Sequence, residues 1–278
     1  MRARLVSGIA AGTLALVGLA AIPASAAPST PNAALLSVLH GVPDLTVDVW
    51  VNGERTLDDF TPGSLAGPLE LPAGTYSVAI TAADAADASS PAIGPVDLAL
   101  ENGKNYTAVA HLDAAAAPTA TLFTNDIAQT APGEGRLTVR HVAAAPAVDV
   151  LAGTTPVITG LTNPNEKVLN LPAGPVSASV TAAGTTTPAL LGPTDVPITE
   201  GTNTIVYAWG NATATPSTLA LATQTIDGLH SSPSGVNAGE VGLVADGGSS
   251  GWTYAIAALL VAGLAGFGIA RRAATQRS

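Results

Sequence analysis

The sequence predicts an all-β protein with two tandem immunoglobulin-like antiparallel β-sandwich domains, an N-terminal signal peptide and a C-terminal transmembrane helix. Three observations support this prediction. The 278-residue chain repeats itself after roughly 100 residues, a spacing typical of whole domains. Within each repeat, apolar residues alternate with small polar residues, as in half-buried strands. Near each end of the chain lies a long segment without charge.

Residues 1–26 have the pattern of a secretory signal peptide. Arg2 and Arg4 precede an uncharged, mostly apolar stretch over residues 5–22, and small residues follow at Ala24 and Ala26. Signal peptidase sites carry small residues at these two relative positions, so we expect cleavage after Ala26. The alternative is an N-terminal anchor that stays attached.

The duplication is defined by three blocks that occur twice in the same order. In the first copy the blocks are Leu36–His40, Val47–Val49 and Leu69–Gly74, and in the second they are Leu137–His141, Val148–Val150 and Leu169–Gly174. We therefore predict a first repeat over residues 31–128 and a second over residues 134–228.

Strand and turn signals within each repeat predict about seven short strands. Leu36, Val38 and His40 lie on one face of a period-two pattern. Turn pairs such as Asn52-Gly53 separate the strand signals at the spacing of an antiparallel sandwich.

The C-terminal segments predict a surface anchor. Residues 229–251 are rich in Gly and Ser and are predicted to form a flexible stalk. Residues 252–270 are nineteen uncharged residues, about 28 Å long as a helix and close to the thickness of a hydrocarbon core. Residues 271–278 form a basic tail, which the positive-inside rule places in the cytoplasm with both repeats outside the cell membrane. The alternative is processing for cell-wall attachment, although the Leu-Pro-x-Thr-Gly pentapeptide of such signals is missing upstream.

Charge excludes nucleic acid as a partner. All twenty Asp and Glu lie between Asp44 and Asp246, a part of the chain that contains only five of the ten Lys and Arg, so its net charge is 5 − 20 = −15. Such a segment repels phosphate backbones. The chain also lacks the G-x-S-x-G, H-E-x-x-H and glycine-rich phosphate-loop motifs, and it has no cysteine. We therefore predict no catalytic residues, no cofactor and no metal.

The motifs of each repeat resemble a known family, the secreted domain of unknown function numbered 4397. The first repeat matches its opening pattern with His40, Pro43, Asp44 and the Val-Asp-Val at residues 47–49. The second matches it with His141, Pro146 and Asp149, but Ala147 stands where the Asp of the Pro-Asp pair is expected. The resemblance implies two tandem copies in a cell-envelope protein of actinobacterial type, and it implies no activity.

Five polar residues are candidate ligand-binding residues: His40, Asp44, Asp48, His141 and Asp149. Grouped at one end of a sandwich, they would bind a metal ion or a sugar hydroxyl. The alternative, which the apolar neighbours favour, is a purely structural role, in which a half-buried histidine bonds a turn carbonyl or carboxylate.

The predicted function is therefore a non-catalytic, membrane-anchored cell-surface protein whose two modules serve adhesion, envelope structure or extracellular protein interaction. Its expected partners are the membrane, through the C-terminal helix, and an extracellular protein or glycan. One alternative is a glycan- or calcium-binding module that uses the loops at one sandwich end. Another is an enzyme that uses His40 with Asp44 or Asp48.

Overall fold

The computed structural model describes residues 33–231, and this part of the chain is all-β, with sixteen strands and no helix. The all-β prediction is thus confirmed. Among residues 33–231 there is no helix that is long and apolar enough to cross a bilayer. The predicted signal peptide, transmembrane helix and basic tail lie outside the described residues, as does the stalk from residue 232 onward.

The first eight strands all lie before residue 125. They are β1 Ala33–Gly41, β2 Val47–Val51, β3 Glu54–Phe60, β4 Leu65–Pro72, β5 Gly74–Ala82, β6 Ile93–Leu100, β7 Asn105–Leu112 and β8 Pro118–Thr124.

The second eight strands follow after a short connection. They are β9 Glu134–Ala144, β10 Val148–Ala152, β11 Thr155–Leu161, β12 Glu166–Pro172, β13 Gly174–Ala182, β14 Ala189–Ile198, β15 Asn203–Asn211 and β16 Ala220–Ile226.

Each set of eight strands forms two four-stranded sheets, and the strand order is the same in both sets. The first repeat has the orders β4-β1-β7-β8 and β3-β2-β5-β6, and the second has β12-β9-β15-β16 and β11-β10-β13-β14. This arrangement corrects the immunoglobulin-like prediction, in which seven strands form the sheets ABED and CFG. It also corrects the expectation of purely antiparallel pairing, because β1 pairs with β7 and β9 pairs with β15 in parallel. The parallel pair is feasible because the chain builds the facing sheet before β7 returns beside β1.

The Asn52-Gly53 pair forms the tight turn between β2 and β3, as its sequence predicts. Both residues have positive φ, 52° and 82°, which a two-residue type I′ hairpin requires. The turn fixes how β3 pairs with β2 and so determines which β3 side chains face the interior.

The two sheets of each repeat pack face to face around aliphatic side chains. In the second repeat one continuous cluster fills this space and includes Val139, Val150, Ile158 and Val206. In the first repeat the corresponding residues form two clusters, one of which also includes Ala144 of the second repeat. Each repeat therefore has a sandwich-like core of its own.

A fourth cluster lies between the repeats. It joins Leu39, Val109 and Phe123 of the first repeat to residues of the second, namely Val142, Ile205, Tyr207 and Trp209. We call these seven residues the shared core. Because of it, β7 is buried at every position and β1, β9 and β15 are buried on both faces.

The two repeats belong to one compact unit that ends at Ser231. All four apolar clusters lie within it, so residues 33–231 contain the cores that their folding requires. Leu229, the first residue of the predicted stalk, also belongs to this unit. It is buried, and its carbonyl accepts a hydrogen bond from the Thr130 amide at 2.8 Å.

Candidate functional site

His40 and His141 occupy equivalent positions near the ends of β1 and β9, and each closes a turn. His40 Nε2 lies 2.6 Å from the Leu45 carbonyl oxygen, and His141 Nε2 lies 3.0 Å from the Pro146 carbonyl oxygen. Each ring also accepts at Nδ1 a backbone N–H from two residues further on, at 3.4 Å. Burial lowers the pKa of both rings, so they are neutral at pH 7, with Nε2 as donor. This geometry matches the structural role considered in the sequence analysis, in which a histidine bonds a turn carbonyl.

Asp48 is completely buried and holds a bulge in the neighbouring strand β3. Its Oδ1 accepts the Asp59 amide at 3.0 Å, and its Oδ2 accepts Nη1 of Arg55 at 3.0 Å. Asp59 has a φ of 49°, in the left-handed region that bulges use. The carboxylate therefore stabilises a strained backbone position and neutralises a neighbouring guanidinium.

Asp149 performs the equivalent task in the second repeat with backbone partners only. Its two oxygens accept the amides of Gly160 at 2.8 Å and Gly184 at 2.7 Å. Gly160 has a φ of 63° and occupies the bulge position that Asp59 occupies in the first repeat. A glycine at this position adopts the left-handed conformation without strain.

Asp44 lies apart from these buried groups. It is exposed in the turn after β1, with a φ of 58°. None of the hydrogen bonds or ion pairs within residues 33–231 joins it to His40 or Asp48. Across the same residues, no three His, Asp or Glu side chains are grouped so that they could hold a metal ion. The ligand-binding role of the five candidates thus stays a prediction.

His111 is a buried polar residue that was not among the candidates identified from the sequence. Its Nδ1 lies 2.9 Å from the Leu112 carbonyl oxygen and its Nε2 lies 2.9 Å from Thr121 Oγ1. Burial lowers its pKa, and the nearby His141 lowers it further. His111 is therefore a third buried histidine whose two ring nitrogens both have hydrogen-bond partners, at the end of β7.

Gln224 is the centre of a buried polar network that crosses the boundary between the repeats. Its Nε2 donates to Ser37 Oγ at 3.2 Å, and its Oε1 accepts Thr107 Oγ1 at 2.9 Å. The same oxygen accepts the Tyr207 hydroxyl at 2.6 Å. One amide of the second repeat therefore bonds two hydroxyls of the first.

Arg140 extends this network and is fully buried. Its Nη1 donates to the Tyr207 hydroxyl at 2.8 Å, and its Nε donates to Glu166 Oε2 at 2.7 Å. Its guanidinium also lies over the Phe123 ring of the first repeat, 4.3 Å from the centroid. Burial raises the pKa of Tyr207, so its phenol stays protonated and can donate to Gln224.

Further hydrogen bonds tie the connection between the repeats to the second repeat. Arg136 Nη1 donates to the Ala128 carbonyl at 2.8 Å and contacts Asp126 Oδ1 at 3.1 Å, while Asn203 Nδ2 donates to the Asp126 carbonyl at 3.0 Å. Asn163 donates to the Leu112 carbonyl of the first repeat at 2.8 Å. The connection is therefore hydrogen-bonded to the second repeat at Asp126 and Ala128, although residues 126–129 are exposed.

Residues 34–151 match the model of a family described as "Domain of unknown function (DUF4397)". The match begins in β1 and ends in β10, so it covers the first repeat and the first two strands of the second. No curated protein matches the chain.

Proposed function

We propose that this chain is a non-catalytic, membrane-anchored cell-surface protein that presents its two repeats as one compact body for adhesion, envelope structure or extracellular protein interaction. The observation that carries the proposal is the shared core together with the Gln224 network. A surface built from two repeats with a common interior keeps a fixed shape, and a fixed surface loses little entropy when it binds. The predicted signal peptide over residues 1–26 and the predicted transmembrane helix over residues 252–270 support the proposed location.

The hydrogen bonds that the candidate polar residues already make support a non-catalytic role. A general base needs a free ring nitrogen or carboxylate oxygen within reach of substrate. His40 is buried with hydrogen bonds at both nitrogens, and Asp48 is buried with partners on both oxygens. These groups hold turns and bulges in place.

The partner we expect is an extracellular protein or an uncharged glycan. Between Asp44 and Asp246 the chain carries a net charge of −15, and that charge disfavours anionic polymers. Recognition by such a surface would depend on its shape and on exposed acidic side chains.

Protease shaving of intact cells that express the full chain tests the location and the compact arrangement together. We expect external protease to release one resistant fragment that contains both repeats, because the connection between them is hydrogen-bonded to the second repeat and the shared core joins the two. Repeats that are protected in intact cells but cut after lysis would contradict the proposed orientation. Release as two separate fragments would contradict the compact arrangement.

The ligand-binding alternative is tested with the exposed Asp44, because a change at the buried Asp48 would also disturb the fold. Residues 27–251 are melted with calcium and screened on a glycan array. A specific rise in melting temperature or a specific glycan signal that Asp44→Ala removes would favour the alternative. A pull-down of surface proteins with the same fragment tests the scaffold role, and failure to retain any partner under these conditions counts against it.

A further inference from the structure

The first repeat contains an apolar cavity of about 110 Å³ between its two sheets. Its lining comes from strands of both sheets and is aliphatic except for Thr56 and Thr121; no charged or aromatic side chain contributes. Thr121 already bonds His111 through its hydroxyl. The cavity therefore offers dispersion contacts and almost no hydrogen bonding, and cavities of this kind stay dry.

Small residues form one wall of the cavity where the second repeat has larger ones. Ala110 and Ala208 are equivalent because they pair with His40 and His141. By the same register, Ala108 corresponds to Val206. Ala110 pairs across to Ala120, whereas Ala208 pairs across to Leu221.

The apolar clusters reflect this difference. Val206 belongs to the continuous core of the second repeat, and Leu221 packs against it. In the first repeat, the space beside Ala108 and Ala120 separates two clusters. The first core is therefore divided where the second is continuous.

The cavity opens between the edge strands β3 and β4. Thr56 and Leu69 line it and are also exposed, Leu69 to 37%. Leu57 is partly exposed, whereas its equivalent Ile158 in the second repeat is only 4% exposed. At Leu57 the rim of the opening is therefore more exposed than the equivalent position of the second repeat.

We propose that this cavity binds the end of a single aliphatic hydrocarbon chain, which enters between β3 and β4 from a molecule with an uncharged headgroup. The volume is well below the roughly 300–1,000 Å³ of pockets for drug-sized ligands and near the roughly 150 Å³ of an apolar cavity that takes benzene or xenon. An aliphatic lining has no ring to stack on an aromatic ligand. A headgroup must stay outside, beside β3 and β4. Asp58 pairs there with Arg55 at 2.9 Å, but the two strands carry four exposed carboxylates and one arginine, a net charge of 1 − 4 = −3, which repels an anion.

The test uses residues 33–231, so its result does not depend on the proposed location or surface role. Octyl glucoside below its critical micelle concentration is the probe, and methyl NMR of the protein is the readout. We expect saturable shifts confined to cavity methyls such as those of Val49, Leu57 and Ala108. Octanoate, with the same chain length and a negative charge, is expected to bind at least fivefold more weakly. Shifts that map elsewhere, no saturation, or equal binding of octanoate would overturn the proposal as stated.

Two variants fill the cavity by placing at its alanine wall the larger residues that the second repeat has at the equivalent positions. Ala120→Leu and Ala108→Val are expected to weaken octyl glucoside binding at least tenfold, because the added carbons occupy the space. Unchanged binding by a folded filled variant would overturn the proposal.

If a cavity-filling variant does not fold, a pair of matched leucine substitutions, one at the rim and one at the equivalent position of the second repeat, still tests the proposal. Leu69→Ala removes a rim contact and is expected to weaken binding severalfold. Leu169→Ala makes the same change at the equivalent position of the second repeat and is expected to leave binding unchanged. Equal effects of the two substitutions would show that the cavity is not the site.

Discussion

Replacing Arg140 with alanine tests whether the shared core and its polar network hold the two repeats together. The substitution removes the hydrogen bonds to Tyr207 and Glu166 and the contact over the Phe123 ring. Breaking a buried ion pair by removing one partner typically costs about 3–5 kcal/mol. Glu166 is 32% exposed and can regain water, and Tyr207 keeps its bond to Gln224. We therefore expect a loss of about 3 kcal/mol in the free energy of unfolding.

The shape of the unfolding transition gives a second readout. Residues 33–231 contain two tryptophans, Trp50 within the first repeat and Trp209 in the shared core. In urea, single-tryptophan variants of the parent protein should report one coincident transition. In Arg140→Ala, the Trp209 signal should change at lower urea than the Trp50 signal, because the interface between the repeats opens first.

Glu166→Gln is the matched control, because it removes the charge of the half-exposed partner and keeps an acceptor for Arg140. We expect it to cost about 1 kcal/mol or less and to leave the two signals coincident. The reasoning would be refuted if Arg140→Ala cost less than 1 kcal/mol and both tryptophans still reported one transition.

Two further outcomes concern the buried polar residues of the turns and bulges. Asp149→Ala removes the carboxylate that accepts the amides of Gly160 and Gly184, and because both glycines are exposed their amides can regain water, so we expect a loss of about 1–2 kcal/mol in urea unfolding; a loss below about 0.5 kcal/mol would contradict its role in the bulge. His40 and His141 have folded pKa values below the ordinary 6.5, so the unfolded chain binds more protons once the pH falls below about 7. The free energy of unfolding should therefore fall between pH 7 and pH 5, by up to about 1.4 kcal/mol per pH unit for each ring, and it should level off below the folded pKa values. Replacing these two rings and His111, whose pKa burial also lowers, with glutamine should flatten this dependence, and a slope that persists in the triple variant would assign it to other groups.

Local patterns in the sequence predict much of the fold. The all-β class follows from period-two alternation, and the hairpin at residues 52–53 follows from the Asn-Gly pair, whose positive φ angles the structure shows. The parallel pairing could not be predicted in this way. Alternation is the same whichever direction the neighbouring strand runs, and β1 and β7 are far apart in the chain.

The burial of the second face of the central strands also could not be predicted from the sequence of one repeat alone. Ser37 and Thr107 are polar, and alternation predicts solvent on their side of the sheet. Both are buried because Gln224 of the other repeat bonds them. The near-continuous apolar run from Thr204 to Trp209 was the available signal, since strands covered on both faces lose their alternation.

The hydrogen-bond partners of the candidate site residues also could not be predicted from the sequence. Residue type and spacing identify His40 and Asp48 as polar groups in an apolar setting, but they do not identify the partners that satisfy them. Those partners are a turn carbonyl and a bulge amide, backbone groups whose positions depend on tertiary structure.

The parallel strand pairs also constrain the order in which the chain can fold. Leu35 pairs with Asn105, a separation of 105 − 35 = 70 residues, and Arg136 pairs with Asn203, a separation of 203 − 136 = 67 residues. High contact order slows folding, because the entropy of closing a long loop is lost before the contacts form. Hairpins such as β2–β3 can form as soon as their residues are available, but β1 must wait for β7. The shared core needs β15, so the two repeats can join only after almost all of residues 33–231 has become available.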